Sequence, residues 1–416
     1  MLAPPATEVE RRPGRTHPPR MLLPSFTPRI RLVTGAALLG LAVLAVLPTA
    51  RAEDAPGGDA PAAQPTPPRA CVPLPGEKRL ANVRQLTFGG ENAEAYWSFD
   101  EKHLVFQSTR GEWPVDQIYV MDRDGKNVTR VSTGTGRTTC AYFMPGDERI
   151  LFASTHMDSP EPPKVPEYDP RKLGYVWPLF ASYDIYTAKA DGTDVQPLVQ
   201  NPGYDAEATV SPTGDRIVFT STRDGDIELY SMAIDGSDVK RLTHEPGYDG
   251  GAFFSWDGKH IVWRAPDRDH LDVEGYRELL ARHLVKPSAL EIWIMAADGS
   301  GKRMITRNGA ANFAPFWHPD GRHVIYASNV HDPRGANFEL YLVDIETLET
   351  ERVTWFERTR PGAHRSDDFD GFPMFTRDGK TLVWCSNRHN DKANETNVFV
   401  ADWVAELPVD AETPEK

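Results

Sequence analysis

The chain has 416 residues, 25% of them charged and 40% hydrophobic, which suits a soluble protein large enough for a substantial core. Its formal net charge is −14, and residues 1–52 hold seven Arg against two acidic residues, so the remainder stands near −19. An acidic body excludes nucleic acid as the expected partner, because phosphate binding needs a basic footprint; it favours a cationic partner or a metal ion.

In chain order, the first feature is an export signal. In "RIRLVTGAALLGLAVLAVLPTARA", Arg29 and Arg31 precede an apolar run from Val33 to Leu47, and Ala50-Arg51-Ala52 fits a cleavage site. This predicts a signal over 1–52, with Met21 as an alternative start, and a periplasmic or secreted protein. The membrane is then met only through that signal. A retained anchor is the competing reading, although the run is shorter than the ~20 apolar residues of a span. Cys71, Cys140 and Cys385 cannot all pair, so no disulfide scaffold is expected. Residues 53–77, rich in Pro, Ala and Gly, read as a linker.

From residue 78 the chain repeats. Six segments align without gaps: "SFDEKHLVF" (98–106), "MPGDERILF" (144–152), "SPTGDRIVF" (211–219), "SWDGKHIVW" (255–263), "HPDGRHVIY" (318–326) and "TRDGKTLVW" (376–384). Each is a polar turn, then an apolar pair, then an aromatic, so each reads as a turn entering a strand. A second motif follows each, as in "QIYVMDRDG" (117–125) and "ELYSMAIDG" (228–236), and then a short edge segment such as "KRLTH". An extended stretch such as "AEAYW" or "FAPFW" precedes each first motif. The unit is therefore four strands, A to D. First motifs begin 46, 67, 44, 63 and 58 residues apart, and a base unit near ~45 residues is one blade of a β-propeller. The sixth unit lacks its own strand D, and "ANVRQLTF" (81–88) is the expected replacement. The fold class is thus all-β: a six-bladed β-propeller of four-stranded antiparallel blades over 78–403, closed by an N-terminal strand, with a tail at 404–416. A short helical insertion is expected in blade 4, where Tyr276, Leu279, Leu280 and Leu284 of "DHLDVEGYRELLARHLVKP" (269–287) fall at helical spacing.

The motifs "FWHPDGRHVIYAS" (316–328) and "YDGGAFFSWDGKHIVW" (248–263) resemble the TolB-type propeller repeat, a WD-like repeat, and "SMAIDGSDVKRLT" (231–243) resembles its second half. The resemblance covers about three quarters of the chain. It implies a periplasmic propeller that binds a protein partner. TolB carries an α/β domain before its propeller; the 53–77 segment leaves no room for one, so a stand-alone TolB-like propeller is expected. Similar propellers precede the hydrolase domain of prolyl-oligopeptidase-type peptidases, but no G-x-S-x-G elbow occurs.

The long insertions at 156–182, 264–289 and 387–396, and the connection at 355–369, all fall on the face where strand A starts. Function is expected on that face. Six residues before each first motif stand Asn92, Thr138, Asp205, Asp249, Asn312 and Asp370. A ring of these at the channel mouth would offer oxygen ligands to Ca²⁺, with Asp205, Asp249 and Asp370 as its anionic members, or to a cationic group on a partner; the alternative is that they serve the turn into strand A. Two positions on come Glu94, Cys140, Glu207, Gly251, Ala314 and Phe372, which place Glu94 and Glu207 deeper in the channel. His156, His331, His364 and His389 share this face without metal-binding spacing; a propeller lyase acting on oligogalacturonides, with similar repeats, uses histidine-held metal. Arg110, Arg223 and Arg388 recur in "STR", "STR" and "SNR" and are expected to bond across blades. The leading functional expectation is a non-catalytic module binding a protein or peptide of the cell envelope. The alternatives are a propeller enzyme, lyase-like or hydrolytic, with groups converging from several blades, and an accessory subunit of a separate hydrolase.

Overall fold

The turn-then-strand motifs form the A–B hairpins of a six-bladed ring in the computed structural model, which describes residues 67–111, 113, 115–333, 337–355, 369–390, 392 and 395–406. The expected export signal and most of the tail lie outside the described residues, as do His364 and most of the 355–369 connection. Strand A of the successive blades is Glu91–Trp97, Thr138–Phe143, Asp205–Val210, Gly250–Phe254, Asn312–Trp317 and Asp370–Phe375. Each heads an antiparallel sheet in the order A-B-C-D.

Two features of the motifs explain why each blade forms. The closing aromatic of the first motif lies opposite the aromatic of the second, as Phe219 lies opposite Tyr230. The six such pairs have ring centroids 5.7–6.2 Å apart, from Phe106–Tyr119 in blade 1 to Trp384–Phe399 in blade 6, a spacing at which aromatic pairs attract beyond their buried area. The "DG" turns also join blades. At Gly236, φ is +85°, and a Cβ there would stand 2.9 Å from the carbonyl oxygen of Leu198 in strand D of blade 2. Gly125 and Gly192 meet the preceding blade in the same way. Only glycine fits a positive φ and a backbone that close.

Blade 6 is closed by the N-terminal strand, as the repeat predicted. Leu80–Gln85 pairs antiparallel with Asn397–Trp403, placing Leu80 opposite Trp403. A fifth strand, Arg69–Ala70, then adds outside it, so this blade has five strands rather than four. The segment read as linker is therefore ordered from residue 67 on. Glu77 fixes it: the buried carboxylate bonds Arg388 at 2.9 Å and accepts from the Leu74 amide at 2.7 Å.

The blade 4 insertion contains the expected helix, Val273–Leu280, capped by Asp272 and packed inward through Tyr276, Leu271 and Leu280. Leu284 lies past its end. With Val285 it forms a strand that pairs with Trp177–Pro178 of the blade 2 insertion, Leu284 opposite Pro178 and Val285 opposite Trp177. The two insertions are thus joined over blade 3, which sequence spacing did not reveal.

Candidate functional site

The six residues expected to ring the channel mouth are all buried, at 5% exposure or less. The three aspartates and Thr138 are held by side chains of their own blades, while Asn92 and Asn312 also reach the preceding blade, through the Thr396 and Leu290 carbonyls. Asp205 pairs with Arg223 at 3.0 Å, and Asp370 pairs with Arg388 at 2.9 Å while accepting from Trp384 Nε1. Asp249 pairs with Arg268 at 2.7 Å and accepts from Trp263 Nε1. Asn92 accepts from Arg110, Asn312 donates to the Leu290 carbonyl, and the Thr138 hydroxyl meets Ser154. This corrects the expected ring: the position ties strand A to strand B, and buried carboxylates at such a position need their arginines. The expected cross-blade role of Arg110, Arg223 and Arg388 is corrected likewise, since each bonds strand A of its own blade. Among the described residues no group of three or more His, Cys, Asp or Glu is placed to hold a metal ion. His156 occupies the repeat position of these arginines, with its ring 4.4 Å from that of Tyr186, and His331 meets the Tyr341 hydroxyl at 3.2 Å.

The next set converges instead. Glu94, Cys140, Glu207, Gly251, Ala314 and Phe372 all line one central cavity. Every strand A has a β-bulge there, with register slipping between Ala93 and Tyr96 in blade 1 and at the matching places in the other five. All six residues have positive φ, from +44° at Ala314 to +62° at Gly251. A bulge in the left-handed region bends the strand and re-aims one side chain, here toward the axis. The cavity has a volume of about 30 Å³, which is room for about two waters.

Its floor is apolar. Two residues beyond the bulge, Tyr96, Tyr142, Phe253 and Phe316 pack edge to face, with the Tyr96 and Phe253 centroids 5.4 Å apart and Phe253 and Phe316 5.2 Å apart. All four are buried, and they divide this cavity from a smaller one lined by Trp97, Trp256 and Arg377 on the turn face. The channel is therefore dead-ended from the insertion side.

The polar wall is built around Glu207. It accepts from Arg264 at 2.6 Å, the Tyr248 hydroxyl at 2.9 Å, the Thr220 hydroxyl at 2.8 Å and the Gly251 amide at 3.0 Å. Arg264 also bonds the Tyr248 oxygen at 2.8 Å, and its guanidinium lies over the Trp177 ring at 5.0 Å. Glu94 accepts the Cys140 thiol at 3.7 Å. Burial first, and the Glu207 charge second, push Glu94 up to about 7. Burial and the two carboxylates hold the Cys140 thiol well above its ordinary range. Arg264 and Tyr248 escaped the sequence reading. One signal was present: a lone arginine inside the apolar strand "IVWRA".

Residues 165–277 match the family model described as "PD40: TolB beta propeller domain". Similar solved structures include a putative TolB from Agrobacterium tumefaciens, at 20% identity over 75% of this chain and 90% of that one, with a TM-score of 0.46. An oligogalacturonate lyase from Vibrio parahaemolyticus is similar at 12% identity over 78% and 94% of the two chains, with a TM-score of 0.45. A puromycin-hydrolyzing peptidase from Mycobacterium tuberculosis is similar at 14% identity over 76% of this chain, with a TM-score of 0.43; this chain spans 47% of that one. Among the described residues no helix is long and apolar enough to cross a membrane.

Proposed function

We propose that this propeller is a non-catalytic binding module of the cell envelope that takes a protein or peptide partner on its insertion face. The dead-ended cavity carries this reading. A space of about 30 Å³ receives the tip of one side chain rather than a sugar ring or a whole peptide. The body of the partner then meets the joined insertions and an aromatic row, Trp177, Phe313, Phe338, Phe369 and Phe372, whose successive centroids lie 5.0–6.2 Å apart. Large aromatic rows with a polar centre are typical of recognition surfaces. The export-signal pattern and the TolB-type repeat support an envelope location.

A second reading is a propeller enzyme, and the observation favouring it is Glu94, whose value of about 7 suits proton transfer. The test is capture from an envelope extract by the purified full chain. The binding reading expects one partner whose capture is lost in Trp177→Ala and Glu94→Gln and kept in Leu348→Asn, on the opposite face. Turnover of an oligosaccharide or peptide panel by the parent, abolished in Glu94→Gln, would establish the enzyme reading instead.

A further inference from the structure

The cavity wall has two chemical halves. Blades 1 to 3 offer Glu94, Cys140 and Glu207, while blades 5 and 6 offer Ala314 and Phe372. Among the described residues the charges of the polar half do not balance: Arg264 is the cation of the lining, and it is committed to Glu207 and the Tyr248 hydroxyl. Asp116, which also acts on Glu94, is neutralised by Arg137 at 2.7 Å. Cys140 is a neutral thiol. Among the described residues, Glu94, Glu207 and Arg264 together therefore leave one uncompensated negative charge when both carboxyls are ionised. A confined carboxylate without a cation is costly, and a ligand that supplies the cation recovers that cost.

We propose that the cavity is a receptor for a lysine side chain of the partner protein, the ammonium seated beside Glu94 and the methylene stem lying along Ala314 and Phe372. This rests on the binding role proposed above for the same cavity. Size selects the head group: room for about two waters admits a compact ammonium more readily than a planar guanidinium fork. The apolar half selects the stem, because lysine buries its methylenes while its charge stays in a polar site. Outside the mouth, the aromatic row from Phe372 to Trp177 continues the apolar wall toward the residues flanking that lysine.

The test uses the full chain and n-butylammonium as probe, with n-butanol and n-butyrate as controls of equal stem length, read by ligand-observed NMR. Butylammonium is expected to bind at least tenfold more tightly than butanol, with butyrate weaker still. This comparison is made on the parent protein and does not depend on how any variant folds. Glu94→Gln is expected to weaken butylammonium at least tenfold and leave butanol unchanged. Glu94 faces Glu207, Cys140, Arg264 and, at longer range, Asp116. Because Glu94 must release its proton first, affinity should rise about tenfold between pH 6 and pH 8 and stay flat in Glu94→Gln. Equal binding of butanol and butylammonium, or an unchanged affinity in Glu94→Gln, would overturn the proposal. If butylammonium fails to bind while insertion-face variants still abolish partner capture, the lysine assignment falls and the binding module stands. If butylammonium binds while partner capture ignores the insertion face, the module reading falls and the ammonium site stands.

Discussion

Arg388→Met tests how blade 6 is held to the N-terminal segment. Arg388 is 9% exposed and bonds two buried carboxylates at 2.9 Å, Asp370 of strand A and Glu77 of the N-terminal segment. Its guanidinium lies over the rings of Trp384 and Phe399, and methionine is a flexible unbranched chain, so the substitution removes charge more than volume. Two buried carboxylates then face each other without a cation. Removing one partner of a buried pair costs about 3–5 kcal/mol, and at this chain size about 2 °C of Tm is lost per kcal/mol, which gives a drop of roughly 6–10 °C.

Guanidinium denaturation at neutral pH measures the loss. Adding Glu77→Gln to Arg388→Met should recover part of the loss, because only one buried charge remains. A deficit under about 1 kcal/mol, or no recovery in the double variant, would refute the claim that Arg388 acts as a shared counter-ion.

Other outcomes follow from the channel. Phe253→Ala should cost about 3–5 kcal/mol in urea denaturation, since its ring packs on Tyr96, Tyr142 and Phe316; a cost below about 1 kcal/mol would mean the floor collapses to fill the gap. Ala314→Gly should be close to neutral, because relief of its φ of +44° offsets the added chain freedom, whereas Ala327→Gly, in a buried strand, should cost about 1 kcal/mol or more; equal costs would show that the bulge carries no strain. For Glu94, the folded value of about 7 lies above the unfolded value, so its contribution to stability is present at low pH and lost as pH rises through 7. Glu94→Gln should flatten the fall of stability between pH 5 and 8 by at most ~1.4 kcal/mol per pH unit. Asp249 and Glu339, also near 7, keep the remaining slope. An unchanged slope would place the Glu94 proton elsewhere.

The ring was legible because each blade solves the same folding problem with the same residue types. Turn, apolar pair and aromatic recur, and Phe219 facing Tyr230 is one of six solutions to a single packing requirement. The closing strand was legible because "NVRQLT" resembles the edge segments of the other blades. The bulge was not. Of its six positions only Gly251 carries the residue that a left-handed backbone favours, so no composition signal marks it. A strict two-residue alternation was assumed through a place where the strand slips, yet Glu94 and Glu207 still came out on the channel side, because both flank the slip at the same repeat position. The oxygen-rich set one step earlier was read as a mouth because Asp, Asn and Thr suit turns and cations alike. Their arginine partners lie 18 or 19 residues away, as from Asp205 to Arg223 and from Asp249 to Arg268, and only the hairpin register brings them together. The paired insertions were illegible for a plainer reason: Trp177 and Val285 are far apart in sequence and each strand is two residues long.

Comparing equivalent positions around the ring separates what builds it from what it can do. At the strand A entry the six residues are Asn, Thr, Asp, Asp, Asn and Asp, all short, polar, buried and hydrogen-bonded. At the bulge they are Glu, Cys, Glu, Gly, Ala and Phe, though the backbone there is the same in every blade. Local folding offers no reason for that divergence, since a left-handed position penalises Phe and Glu alike. What differs between the six is only what each side chain presents to the axis: charge on blades 1 and 3, a thiol between them, and an apolar wall opposite. A symmetric scaffold that accepts backbone strain to hold an asymmetric lining is what the proposed ligand site asks of it.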